Sequence, residues 1–140
     1  MSNNIYKSIE RTATLEEYES LCISVGWKEF MNFDVVEKSL AKSLYGVIVE
    51  FENEVIGMGR IIGDGFIYYY IQDIVVSPKH QKQGIGKKIM DKLMDYIRHN
   101  APEKAFVGIF SSREAIRLYE QYGFKQYPEL TGIFRVTPID

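Results

Sequence analysis

Cysteine is almost missing from this 140-residue chain, with Cys22 the sole example. No intramolecular disulfide can form, and a lone thiol suits a reducing cytosol. On its expected helix Cys22 reads as a small buried hydrophobe. Histidine is nearly as scarce, at two residues, His80 and His99. Without a Cys/His cluster, no metal site is expected. His80 reads as an exposed loop residue, His99 as a cation at a helix C-terminus. No apolar run approaches the ~20 residues of a membrane span, and the opening MSNNIYKSIE does not read as a secretory signal. A net charge of -2 argues against nucleic-acid binding by bulk electrostatics. Internal repeats, low-complexity tracts and Pro/Gly-rich linkers are also missing, so one domain over residues 1–140 is expected.

What is present is an ordinary globular balance, 46% apolar and 26% charged. IYKSI (5–9) suggests a short first strand. Thr14 and Glu17 form a capping box ahead of the stripe Leu15, Tyr18, Leu21, Cys22 and Val25, with Gly26 as a stop. FDVVEKSLAKSL predicts a second helix capped by Asp34. YGVIVEF, VIGMGRII and FIYYYIQDIVVS read as three strands, turned by ENE and by the hairpin signal GDG. Ile85, Ile89, Leu93 and Ile97 then mark an amphipathic helix, followed by the strand AFVGIF. This βαβ unit makes its two strands parallel with a right-handed crossover. SREAIRLYEQYG predicts a last helix with a Ser111–Glu114 capping box and a stop at Gly123, and GIFRV (132–136) a late strand closing the sheet. The expected class is an α/β sheet, mostly antiparallel, with one parallel pair in its middle and about four helices.

The segment SPKHQKQGIGKKIM carries the chemistry. Gly84 and Gly86 stand where the amphipathic helix begins, and its first N–H groups lack intrahelical partners. The helix dipole favours an anion there, and residues without side chains let a phosphate come close. Lys82, Lys87 and Lys88 add charge. A P-loop is excluded, because Gln81 stands five residues before Gly86 and Lys88 follows Lys87. A Rossmann fingerprint is excluded by Ile89 at its third small position. A glycine-rich strand-to-helix turn with solvated lysines would look the same in isolation.

The wider pattern resembles the acetyl-CoA motif of the GNAT superfamily, the Gcn-five-related N-acetyltransferases. Its Gln/Arg-x-x-Gly-x-Gly/Ala signature after a Val-x-Pro strand end is met by Val76, Pro78, Gln81, Gly84 and Gly86. A second element, Ala-x-x-x-Tyr-x-x-x-Gly-Phe, is met by Ala115, Tyr119, Gly123 and Phe124. The resemblance runs from about Ile5 to Val136.

The resemblance implies a GNAT fold with a bulged fourth strand splayed from the fifth. It implies acetyl-CoA as co-substrate, held by Ile74, Val75 and Val76 along the strand. The N–H groups of Lys82, Gln83, Gly84, Ile85, Gly86 and Lys87 would cradle the pyrophosphate. Gln81 stands where relatives often carry Arg, and Ser112 where many carry an Asn that reaches the pantetheine. The N–H of Ile74 would polarise the acetyl carbonyl, and Tyr119 would protonate the leaving thiolate. Read alone, Tyr119 is first of all a core aromatic of the LYEQYGF helix, and the glycine motif upstream reverses that order.

The base is open. Tyr70 and Gln72 occupy the strand positions where relatives often carry Glu or His. Asp73 is the nearest carboxylate, but alternation turns it to the other face unless the bulge shifts it; it could equally anchor a turn. Trp27, Phe30, Tyr70 and Gln72 are the substrate-side candidates. The leading expectation is a cytoplasmic N-acetyltransferase acting on a small-molecule primary amine in a ternary complex, with a homodimer allowed and no nucleic-acid, membrane or metal partner. The alternatives are a peptide or protein acetyltransferase acting at an N-terminus or lysine, and a non-catalytic acyl-CoA sensor. A nucleotide-binding protein is a third class.

Overall fold

The computed structural model describes residues 5–139. The chain divides into two compact units, one up to Ile109 and one from Phe110. The first holds a five-stranded sheet in the order β1-β2-β3-β4-β5. Its strands are β1 (Tyr6–Ile9), β2 (Tyr45–Phe51), β3 (Glu54–Gly63), β4 (Tyr68–Val76) and β5 (Phe106–Ile109). Neighbours are antiparallel except β4 and β5, which pair in parallel. Between β1 and β2 lie α1 (Leu15–Ser24), two 3-10 turns (Lys28–Phe30, Phe33–Val35) and α2 (Val36–Ala41). A 3-10 turn (Pro78–His80) and α3 (Ile85–Asn100) connect β4 to β5.

Each helix layer follows from its apolar stripe. α1 starts at the expected capping box: Glu17 N donates to Thr14 Oγ1 at 3.2 Å, and Thr14 N donates to Glu17 Oε1 at 2.9 Å. Its Tyr18, Leu21 and Cys22 join Val36 and Leu40 of α2 against Ile48, Met58 and Val75 of the sheet. On the opposite face, Ile85, Ile89, Met90, Leu93 and Ile97 of α3 are buried. β3 admits them by carrying glycine: a Cβ at Gly59 would stand 2.7 Å from Ile89 Cγ2 and 3.3 Å from Leu93 Cδ1. Close helix–sheet contact thus needs a bare backbone there.

Several expectations are corrected. The second helix is shorter than its pattern. Residues 33–35 form a 3-10 turn, and the cap is Asn32, whose Oδ1 accepts from Asp34 N at 3.0 Å, rather than Asp34. In the second unit α4 spans Ile116–Glu120, preceded by Ala115 with no side-chain cap. The Ser111–Glu114 box does not form, because the Ser111 hydroxyl donates to Ser112 O at 2.7 Å. Gly123 ends the helix as expected, with φ +90 and its N–H donating to Glu120 O. Residues 132–136 form no strand. The parallel pair therefore lies at the sheet's edge, not its middle.

Candidate active site

β4 is where the sheet departs from regularity. Its ladder with β5 joins Tyr68–Ile71 to Phe106–Ile109 and then stops, while β4 continues to Val76. The β3 side also slips: Met58 pairs with Val75, but Arg60 pairs with Gln72. Only Gly59 intervenes on β3, against Asp73 and Ile74 on β4, which is a bulge. Asp73 sits there at φ +59. Aspartate tolerates the left-handed region better than most side chains.

The bulge is braced from the helix layer. Arg60 Nε donates to Asp73 Oδ2 at 2.8 Å. Its Nη1 donates to Ser39 O and Ser43 Oγ at 3.0 Å, and its Nη2 to Ser39 Oγ at 3.1 Å. A buried cation thus ties the strand defect to the end of α2, with every guanidinium nitrogen hydrogen-bonded. A cavity of about 10 Å³ abuts the pair, room for at most one water, so no substrate fits inside it. The Tyr18 phenol, buried beside this group, is pushed well above its usual range, first by burial and then by the Asp73 charge. Burial likewise pushes the Cys22 thiol up to about 12, leaving it a protonated core group.

The bulge sorts the strand's side chains. Asp73 turns toward Arg60 and the α1/α2 side, as only the bulge permits, and shares that face with Gln72 and Tyr70. Ile74 turns to the α3 side, its Cγ1 3.4 Å from where a Gly59 Cβ would be. The Tyr70 ring covers Gly108, stacks on Tyr68 at 6.5 Å and lies 5.8 Å from Phe106. Trp27 packs instead against the α1/α2 core, and Phe30 is 79% exposed on its 3-10 turn. The strand thus gathers Tyr70, Gln72 and Asp73 but does not bring Phe30 to them through any ring contact among the described residues.

Past Val76 the backbone turns twice through the left-handed region, at Lys82 (φ +64) and Gly84 (φ +81), before α3 begins. A side chain on Gly84 would meet nothing within 4 Å, so φ rather than crowding selects glycine. Among the described residues, the N–H groups of Lys82, Gln83, Gly84, Ile85 and Gly86 have no turn or side-chain partner. Bare donors at a helix start, with open space beside Gly84, fit a diphosphate. The Gln81 amide turns back and donates to Val76 O at 3.0 Å, bracing the turn on the end of β4. His80 is not an exposed loop residue: it is half-buried against Tyr6 and Phe51.

Ser112 and Tyr119 belong to the second unit. Ser112 is exposed, and its carbonyl accepts from Ala115 N. Tyr119 is buried on α4, and burial raises its phenol above the usual tyrosine value. No group of three or more His, Cys, Asp or Glu among the described residues could hold a metal ion, and no helix there is long and apolar enough to cross a membrane.

Sequence reasoning missed the Arg60 brace. A charge inside VIGMGRII was its only signal, since Ser39 and Ser43 lie far away in the chain.

Comparisons with known proteins agree on one family. A family model described as Acetyltransferase (GNAT) family matches residues 8–124. A probable acetyltransferase from methicillin-resistant Staphylococcus aureus superposes with a TM-score of 0.88 at 32% identity, covering 94% of this chain and 99% of that one. A ycf52-like uncharacterized N-acetyltransferase of Prochlorococcus marinus is 31% identical over 85% of this chain and 67% of its own. An L-methionine sulfoximine/L-methionine sulfone acetyltransferase of Salmonella typhimurium is 35% identical over 57% of this chain and 50% of its own.

Proposed function

This chain belongs to the acetyltransferase (GNAT) family and is an acetyltransferase; we propose that it transfers the acetyl group of acetyl-CoA to a primary amine of a small molecule, by direct attack in a ternary complex. The observation that carries the reading is the continuity of two features. A bulged β4 outruns its β5 partner and leads straight into the bare-amide turn that opens α3. A single extended ligand lying along β4 would meet both, with its thioester at the bulge and its diphosphate at the turn.

In the proposed arrangement, the N–H groups of Lys82 to Lys87 hold the pyrophosphate. The backbone of Val75 and Val76 holds the pantetheine arm. The neutral amine attacks the thioester carbonyl carbon. The N–H of Ile74 receives the developing oxyanion, worth about 3–4 kcal/mol in comparable sites. The tetrahedral carbon then expels the thiolate, which takes the proton of the Tyr119 phenol, and solvent returns a proton to the Tyr119 phenolate; the new amide nitrogen gives up its proton to water. Asp73 is assigned to hold the bulge rather than to take that proton, because Arg60 occupies its Oδ2. Tyr70 and Gln72 are poor bases. The amine therefore arrives neutral or loses its proton to water. Fixing both reactants supplies much of the remaining rate.

Tyr70, with Tyr68 and Phe106 beside it, offers ring faces to an ammonium or aromatic acceptor. A small-molecule acceptor is favoured by the Salmonella relative, whose name specifies amino-acid analogues. A cytoplasmic setting completes the proposal, and a homodimer is compatible with it. The test is thiol release from acetyl-CoA against polyamines, arylalkylamines, amino acids and aminoglycosides. Release stimulated by one of these classes supports the reading. Release stimulated only by peptides or proteins moves the acceptor to a macromolecule, and no stimulation by either favours an acyl-CoA sensor.

A further inference from the structure

Three aromatic rings connect the start of the candidate diphosphate turn to the far edge of the sheet. Tyr6 on β1 and Phe51 on β2 are a cross-strand pair with ring centroids 5.0 Å apart. His80 ends the Pro78–His80 turn and sets its ring 4.7 Å from Phe51 and edge-on to Tyr6 at 5.6 Å. The Tyr6 hydroxyl and His80 Nδ1 are hydrogen-bonded at 2.9 Å.

The segment after His80 has little to hold its shape. Lys82 and Gly84 both take positive φ, and the N–H groups from Lys82 to Gly86 have no partner among the described residues. Its conformation must be imposed at its two ends. α3 fixes one end. At the other, the local restraints are His80 N to Ser77 O at 2.9 Å, a long Gln81 N to Pro78 O contact at 3.4 Å and the Gln81 amide on Val76 O. Ser77 N ties the start of the Pro78–His80 turn to Ile56 O at 2.8 Å, and the ring cluster is the tertiary restraint at its end, reaching across 74 positions of sequence.

We infer that His80 is a positioning residue: the Tyr6–Phe51–His80 cluster holds the Gln81–Gly86 turn in the conformation that receives the diphosphate of acetyl-CoA. The inference rests on the reading of that turn as the diphosphate site. His80 acts through the backbone that follows it, not by touching the cofactor. A turn ordered in advance loses less freedom on binding, an effect worth about three- to tenfold in affinity for one restraint of this kind.

Coenzyme A is titrated calorimetrically into the wild-type chain and into His80→Ala, His80→Phe and Tyr6→Phe, and backbone ¹⁵N order parameters are measured in the ligand-free proteins. His80→Ala should bind about three- to tenfold more weakly, with lowered order parameters confined to residues 81–86. His80→Phe keeps the ring contacts and should recover most of the affinity, and Tyr6→Phe should fall between. If the wild type binds coenzyme A and His80→Ala binds it equally well, the positioning role is wrong while the site survives. If His80→Phe is as weak as His80→Ala and Tyr6→Phe matches the wild type, His80 is a direct ligand and the inference is overturned. Failure of the wild type to bind coenzyme A removes the site itself.

Discussion

Arg60 Nε stands 2.8 Å from Asp73 Oδ2, and Asp73 is the residue at which β4 breaks register. The pair is largely buried, with side-chain exposures of 11% and 13%. A charge pair in such a place adds little net stability against an apolar substitute, but breaking it is expensive. Its value is geometric, since it pins a left-handed residue inside a strand.

Asp73→Ala should therefore destabilise the protein by about 3–5 kcal/mol, because Arg60 is left buried without its anion. Urea unfolding measures this. Asp73→Asn keeps a residue tolerant of positive φ and a hydrogen-bond acceptor, so it should lose less stability. If Asp73 holds the bulge, the asparagine variant should also retain most of its turnover. A large loss of turnover in a folded Asp73→Asn would instead return Asp73 to the role of base.

Tyr119→Phe should lower kcat by about 10²–10⁴ while leaving the affinity for coenzyme A unchanged. Burial raises the phenol, so its acid form persists through neutral pH and beyond the usual value of about 10. The descending limb of kcat due to Tyr119 should accordingly lie above that value. A kcat limb assigned to Tyr119 below pH 10 would contradict the assignment.

Gly84→Ala should cost about 1–2 kcal/mol of stability, since alanine resists φ +81 even though its methyl meets nothing. Coenzyme A affinity should fall as well, because strain there is relieved by tilting the amides. Urea unfolding and calorimetric titration report the two effects separately.

Glu17 gives the acid limb of stability. Its carboxylate is held below the usual range, first by the Arg11 guanidinium and further by the Thr14 N–H, against an opposing effect of burial. A depressed folded-state pKa adds stability above the unfolded value of about 4.3 and loses it as pH falls through the folded value. Glu17→Gln should therefore flatten the stability profile below pH 4.3 and lower stability at neutral pH. Thr14→Ala should cost about 1 kcal/mol at either pH.

Elements whose signal is local were legible in the sequence. The α1 capping box, the β2–β3 and β3–β4 turns and the α3 stripe stand where periodicity and turn residues put them. What failed was local pattern without enough tertiary burial. GIFRV has strand-forming residues, yet Ile133 and Phe134 are 87% and 77% exposed, and residues 132–136 join no ladder among the described residues. Ser111 and Glu114 have box spacing, but the Ser111 hydroxyl finds a nearer carbonyl. The bulge followed only from the family resemblance. Its brace was hidden because Ser39, Ser43, Arg60 and Asp73 meet through topology alone. The His80 cluster was hidden for the same reason, with Tyr6, Phe51 and His80 on three separate elements.

Backbone amide NMR of the ¹⁵N-labelled chain during titration with coenzyme A tests the central claim most directly. Phosphate oxygens accepting from the turn should move the Lys82, Gln83, Gly84, Ile85 and Gly86 signals downfield, more than any others outside β4. Saturable shifts elsewhere with those five unmoved, or no saturable shift at all, would contradict it.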